Sequence, residues 1–419
     1  MLQVSDVRKK VLIASTATAA IVIAACSKQP EPPPAAAEYQ KALQTRLITA
    51  KPGDVITIPA GVHPINRGLS LNVSGVTLRG EGMGKSILSF KGQLQGAEGL
   101  LVNASDFIIE DLAIEDTAGD GLKINEGRNI IIRRVRTEWT NGPDERNGAY
   151  GIYPVQTENL LLEDSVAIGA SDAGLYVGQS KNVVIRNNHA EYNVAGIEIE
   201  NTIDADVYGN VATNNTGGIL VFNMPDLPEP GFGTRVFGNT IVSNNTDNFG
   251  AEGTPVASVP TGSGVVVNSN DKVEIFDNDI ADNDTANVII SSYYATGYQG
   301  TRELAENYDP YPETIYIYGN RFDGGGSSPD GLQFKALKLA MFGLNGSFPD
   351  VIWDGYVNAD KTDDKGSLLP GYAICVDNGD AEVMNVDLGN GSENIVVGAP
   401  EHACTHEKLP PVTLQAPLS

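Results

Sequence analysis

The sequence predicts an all-β solenoid wound in single-stranded coils of about 22 residues, and three observations carry that expectation. Residues 102–222 write one pattern five times: a short apolar strand, polar turn residues, a Gly or its equivalent, and a second short strand. Asn159, Asn182 and Asp204 fall 23 and then 22 residues apart, and Gly151, Gly174, Gly196 and Gly218 keep the same step. No helical stretch interrupts the pattern, and 46 Gly with 7% aromatic residues suit coils and turns. A unit of this size buries its apolar side chains only by stacking on the next.

Taken in order, the chain opens with Arg8, Lys9 and Lys10 before an apolar run from Val11 to Ala25. The run is short for a bilayer span and has the layout of a secretion signal. It ends in Ile23, Ala24, Ala25 and Cys26, which resembles a bacterial lipobox with Ile23 where Leu is usual. The resemblance implies lipidation of Cys26 and a membrane-anchored envelope protein, with Ser27 favouring the outer membrane. Residues 26–37, with Pro30, Pro32, Pro33 and Pro34, read as a stiff solvated tether. Removing Cys26 leaves Cys375 and Cys404, an even pair that predicts a disulfide in an oxidising compartment. The alternation His402, Cys404, His406 keeps a metal-ligand reading open beside it.

The net charge is −25, and about −27 once the signal, with Asp6 and its three basic residues, is removed. Such a surface excludes nucleic acid as a partner and repels anionic polymers unless Ca²⁺ or a local basic patch intervenes. Asp277, Asp279, Asp282 and Asp284 are the candidate Ca²⁺ ligands, although the same alternation suits turns.

Residues 38–325 form the expected coil domain. Glu38 to Leu47 reads as an amphipathic cap helix, with Tyr39, Ala42, Leu43 and Leu47 as its apolar positions. Asn188, Asn210, Asn239, Asn278 and Asn320 share one interior turn site, where stacked amides can bond along the axis. Ile185, Val207, Val236, Ile275 and Ile317 then point inward, while Arg186, Tyr208, Phe237, Phe276 and Tyr318 face out. In the second strand Leu122, Ile152, Leu175, Ile197, Ile219 and Val265 are inside. Insertions at residues 140–149, 223–233, 246–261 and 293–314 are expected to project from the rim. Beyond Asn320 the pattern fades, so residues 326–419 read as an irregular C-terminal cap and wrapping tail, with a helix over 329–344 and the tail covering the outward aromatics.

The run Pro59-Ala60-Gly61 and the later Gly75-Val76-Thr77-Leu78-Arg79-Gly80-Glu81-Gly82 resemble the first coils of right-handed parallel β-helix proteins of the pectate-lyase-like superfamily. Residues 142–154, 171–180 and 194–201 are similar to repeats of a bacterial family of exported β-helix lipoproteins. The resemblance covers about residues 48–325 and implies a right-handed parallel β-helix. It implies no activity. The chain has no Asp-Pro-His-Asp as in alginate epimerases of this fold, and no His-Gly beside paired aspartates as in polygalacturonases. Its histidines are His63, His189, His402 and His406, and His189 reads as a surface turn residue.

The candidate working surface is the second outward file, Lys123, Tyr153, Tyr176 and Glu198. Stacking at about 4.8 Å gives a line roughly 14 Å long, the span of about three sugars. Glu138, Asp144, Glu145, Arg146 and Asp172 are expected to flank it as substrate-binding residues. Lysine, tyrosine and carboxylates suit proton abstraction beside a uronate whose charge Arg146 neutralises, which is lyase or epimerase chemistry. A pair such as Glu198 and Asp172 suits the acid and base of a glycoside hydrolase. The expected partner is a polysaccharide; the alternative is a non-catalytic surface lipoprotein that binds glycan or protein on the same face.

Overall fold

The computed structural model describes residues 34–225, 227–296 and 304–415. The signal-like segment, Cys26 and the first part of the tether lie outside the described residues. The remainder is a column of parallel coils. One coil runs Lys181–Arg186, His189–Glu191 and Ala195–Glu200, and each strand pairs in parallel with its counterparts one coil before and after. The coil bends at Asn187, Tyr192 and Asn201, all with φ between 44° and 58°. Asn tolerates that left-handed region better than most residues, which is why the corners are rich in it. The column therefore has three faces. The middle one, built from three-residue strands such as His189–Glu191, is too short to show an alternation in the sequence.

The interior follows the expected register. Ile185, Val207, Val236, Ile275 and Ile317 are buried, as are Leu122, Ile152, Leu175, Ile197, Ile219 and Val265. At the first corner each asparagine amide donates to the next Asn carbonyl oxygen, at 3.0 Å from Asn188 to Asn210 and 2.9 Å from Asn239 to Asn278. The same amide also bonds a strand carbonyl, as Asn188 does to Leu162 at 3.1 Å. A second ladder, Asn193, Asn215, Asn244 and Asn283, repeats this at the next corner. Such files satisfy polar groups that the interior would otherwise leave unpaired.

The ends differ from expectation. The N-terminal helix spans Pro34–Thr49, so it begins inside the stretch read as tether; Leu43 and Leu47 are buried on the first coil, whereas Ala42 is exposed. Val351–Trp353, Ile374–Asp377 and Val383–Asn385 pair as further parallel rungs, so the coils continue past residue 325. Long insertions between these rungs hide their period in the sequence. The helix expected over 329–344 spans Leu332–Phe342, and Leu332 and Leu339 are exposed while Phe334, Leu337 and Phe342 pack.

Cys375 and Cys404 form a disulfide, and His402 and His406 bond the carbonyls of Ile374 and Ala373 at 2.9 and 2.8 Å, which removes the metal reading. The tail then runs up the first face. Leu409 N–H donates to Glu274, Val412 N–H to Asp206, and Gln415 exchanges two bonds with Asn159. Tyr208, Phe237, Phe276 and Tyr318 stack at 4.8–4.9 Å but stay half-buried. The tail meets this file at Tyr318, where the Lys408 ammonium lies 4.5 Å from the ring centroid, while Leu409 and Val412 give their N–H groups to the neighbouring file, whose carboxylates accept them.

Candidate functional site

The third face carries the expected file. Register pairs Lys123 with Tyr153, Tyr176 with Glu198, and Glu198 with Leu220. The rings of Tyr153 and Tyr176 meet edge to face at 4.8 Å, which joins the two halves. Lys123, Tyr153, Tyr176 and Glu198 thus stand in one line. They do not form an open trough, however. Tyr176 and Glu198 are only 4% and 2% exposed, because insertions later in the chain fold over this face. Lys123 and Tyr153 keep partial exposure and mark the accessible end.

Around the file the structure gathers residues that sequence reasoning missed. Tyr150 packs against both Tyr153 and Tyr176, at 4.2 and 4.8 Å between centroids, and its hydroxyl lies 3.3 Å from Asp172 Oδ2. The Tyr176 hydroxyl donates to Glu200 Oε1 at 2.7 Å. Gly178 makes that reach possible, since a Cβ there would sit 2.2 Å from the hydroxyl. Lys123 lies over the Tyr153 ring at 4.8 Å, with Asp120 and Glu98 at 3.6 and 3.8 Å from its Nζ. Glu200 was legible in principle: it follows Glu198 by two residues, so both face out.

Three carboxyls, Asp172, Glu198 and Glu200, therefore share one enclosed place. Burial raises the pKa of all three, and Glu200 raises the other two further by its charge; Asp172 is pushed up to about 7 despite its bond from Tyr150. Asp172 Oδ1 and Glu198 Oε2 are buried without a hydrogen-bond partner. Burial likewise raises the pKa of Tyr150, Tyr153 and Tyr176, so their hydroxyls stay protonated donors. Such an arrangement holds a proton next to a carboxylate under neutral conditions, which is what a general acid requires.

The remaining expected residues fall elsewhere. Arg146 is held by Asp144 at 2.8 and 2.5 Å on the exposed loop, so its guanidinium is already engaged, and Glu145 is exposed. Glu138 ends the strand Leu122–Glu138 on the middle face, tied to Arg136. Local pairing decides these positions, and a sequence insertion does not reveal it. The Asp277 series does not gather either: Asp279 pairs with Arg321, and Asp277 and Asp282 occupy left-handed turn positions. Among the described residues, Asp271, Asp309 and Glu313 have carboxylate oxygens within 4.8 Å of one another, and Lys361 bridges the last two. His189 lies 3.4 Å from Glu191.

A family model described as right handed beta helix region matches residues 74–227. The chain is a right-handed parallel β-helix protein. Its structure is similar to the A-module of mannuronan C-5 epimerase AlgE4 from Azotobacter vinelandii, with a TM-score of 0.54, 21% identity, and 82% of this chain and 90% of that chain covered. The AlgE6 A-module of the same organism gives 0.49 and 18%, covering 82% and 88%. A tailspike protein of E. coli bacteriophage HK620 in complex with pentasaccharide gives 0.49 and 12%, covering 79% and 58%. At these identities the likeness is one of fold. No curated protein sequence matches the chain.

Proposed function

We propose that this β-helix protein binds a neutral glycan on its third face and cleaves it by acid catalysis from the Asp172, Glu198 and Glu200 cluster. One observation carries the reading: three enclosed carboxyls with raised pKa, two of them presenting unpartnered oxygens, stand against a tyrosine floor. Glu198 is the proton donor and Asp172 its partner carboxylate, the division of labour of a glycoside hydrolase. Tyr150 and Tyr153 offer apolar ring surface and hydroxyls at the accessible end, which suits a sugar face. That the fold is shared with a mannuronan C-5 epimerase agrees with a glycan substrate.

The uronate alternative loses its support in the charges. Arg146 is engaged by Asp144, and Lys123 sits between Asp120 and Glu98, so a substrate carboxylate would meet three carboxyls with little cationic compensation. A neutral polysaccharide avoids that repulsion. Non-catalytic glycan binding is the second reading, favoured by the burial of Glu198.

Incubation of purified protein with neutral and uronate polysaccharides separates these readings. New reducing ends from neutral glycans, lost in Glu198→Gln, are expected; unsaturated uronate products would reinstate lyase chemistry, and binding without turnover would leave a lectin-like role. We further propose a lipid anchor at Cys26, hence residence in the bacterial envelope. Labelling with a clickable fatty acid is expected to mark the intact protein and to be lost in Cys26→Ser.

A further inference from the structure

The third face continues beyond the carboxyl cluster with a different chemistry. After Glu198 its outward file reads Leu220, Val266, Ile289 and Ile352, and beside it Glu200 is followed in register by Phe222 and Asn268. Phe222 is thus one rung, about 4.8 Å, from Glu200. Beyond Leu220, and with Phe334 of the helix Leu332–Phe342, Phe222, Val266, Ile289, Ile352 and Val386 line a cavity of about 260 Å³.

Asn268 and Asp354 at its rim are already committed. Asn268 donates to Ser291 Oγ at 2.9 Å and to the Ser292 carbonyl at 3.0 Å. Asp354 accepts from Ser292 N–H and Oγ–H at 2.6 and 2.7 Å and from Tyr356 N–H at 3.1 Å. Apart from Gln333 at the exposed edge, such walls give an occupant mainly contact and desolvation, so they favour hydrocarbon.

We propose that this cavity receives the alkyl chain of an amphiphilic glycan, a sugar carrying an acyl or alkyl substituent, whose polar part meets Asp172, Glu198 and Glu200. The inference rests on the glycan reading of that cluster, because the shared register of Glu200 and Phe222 is what makes sugar and chain parts of one ligand. A simple polysaccharide would leave the cavity unused; an alkylated one fills both halves of the face.

Calorimetric titration of the full chain with methyl, butyl, hexyl and octyl β-D-glucosides, below their micelle concentrations, tests this. Affinity is expected to rise by up to about fourfold per methylene until the cavity is full, the gain of burying one CH₂. Val266→Phe, which fills the cavity, removes the chain-length gain while leaving methyl glucoside binding unchanged. Val266→Ala, which enlarges it, moves the plateau to longer chains and keeps the test alive should the larger side chain unfold the protein. 1-Octanol binds more weakly than octyl glucoside by the contribution of the sugar. Equal affinity for methyl and octyl glucosides, or octyl binding untouched by Val266→Phe, overturns the proposal, as does octanol binding as tightly as octyl glucoside. None of these results bears on Glu198-dependent cleavage of neutral glycans, so the two readings fail separately.

Discussion

The two halves of the third face share one backbone geometry and opposite chemistry. Along its central file Lys123, Tyr153, Tyr176 and Glu198 are cationic, phenolic and acidic, whereas Leu220, Val266, Ile289, Ile352 and Met384 are apolar and buried. The ladder changes character between Glu198 and Leu220, neighbours in a single register pair. A solenoid scaffold therefore supplies positions, while the identity of each rung and what lies over it supply function.

Substituting the two neighbouring rungs gives the sharpest separation. Glu198→Gln is expected to slow reducing-end release from neutral glycan by about a hundredfold or more, the scale of a lost general acid. Leu220→Ala is expected to leave turnover within about twofold and to cost about 2–5 kcal/mol in denaturant unfolding. Equal loss of turnover in both variants would erase the distinction between the halves.

The acidic half also carries a pH signature. The folded chain holds the Asp172 proton up to about pH 7, whereas an unfolded carboxyl of this kind, with an ordinary value of 3.8, has released it by then. Between about pH 4 and 7 the folded state binds more protons, so stability falls as pH rises and levels off above that window. Asp172→Asn should remove part of this fall and raise Tm at pH 8 by a few degrees, with no gain at pH 4. Val266→Gln, in the apolar half, should lower Tm at both pH values. For turnover the two groups act in opposite senses: kcat/KM should rise through about pH 7 as Asp172 ionises to the partner carboxylate, and decline only at higher pH, where Glu198, held well above the usual carboxyl range by burial, loses the proton it donates.

Gly178→Ala offers a smaller perturbation. Its Cβ would displace the Tyr176 hydroxyl from Glu200, and glycan affinity by titration calorimetry is expected to drop about tenfold, one lost charge-assisted bond. Arg146→Ala should change least. The pair with Asp144 is exposed, so neither Tm nor turnover is expected to move measurably. A large loss of turnover there would restore a role for a substrate carboxylate.

Much of the placement of the candidate site was legible because period and alternation are local properties of the chain. They set Lys123, Tyr153, Tyr176 and Glu198 in one file and the asparagines in another. Asp172 joins them from a corner, Tyr150 from a strand start, and Glu200 from the same alternation one step on. Arg146 and Glu138 stand apart from that file, each with a charged partner nearby, and ion pairing leaves no periodic trace. The final rungs were obscured for a related reason: insertions between residues 324 and 373 break the spacing that reveals a coil.

By itself, then, the sequence determined the winding, since a 22- or 23-residue step forces equivalent side chains into files that must be buried, stacked or exposed together. Only the tertiary structure decided which stretch of a file is accessible. The chain segments that cover the third face come from insertions far along the sequence, and the tail that straps the first face is anchored by Asp206, Glu274 and Asn159. Those contacts depend on where aperiodic loops return in space, and burial by such loops is what turns aligned carboxylates into groups that keep a proton.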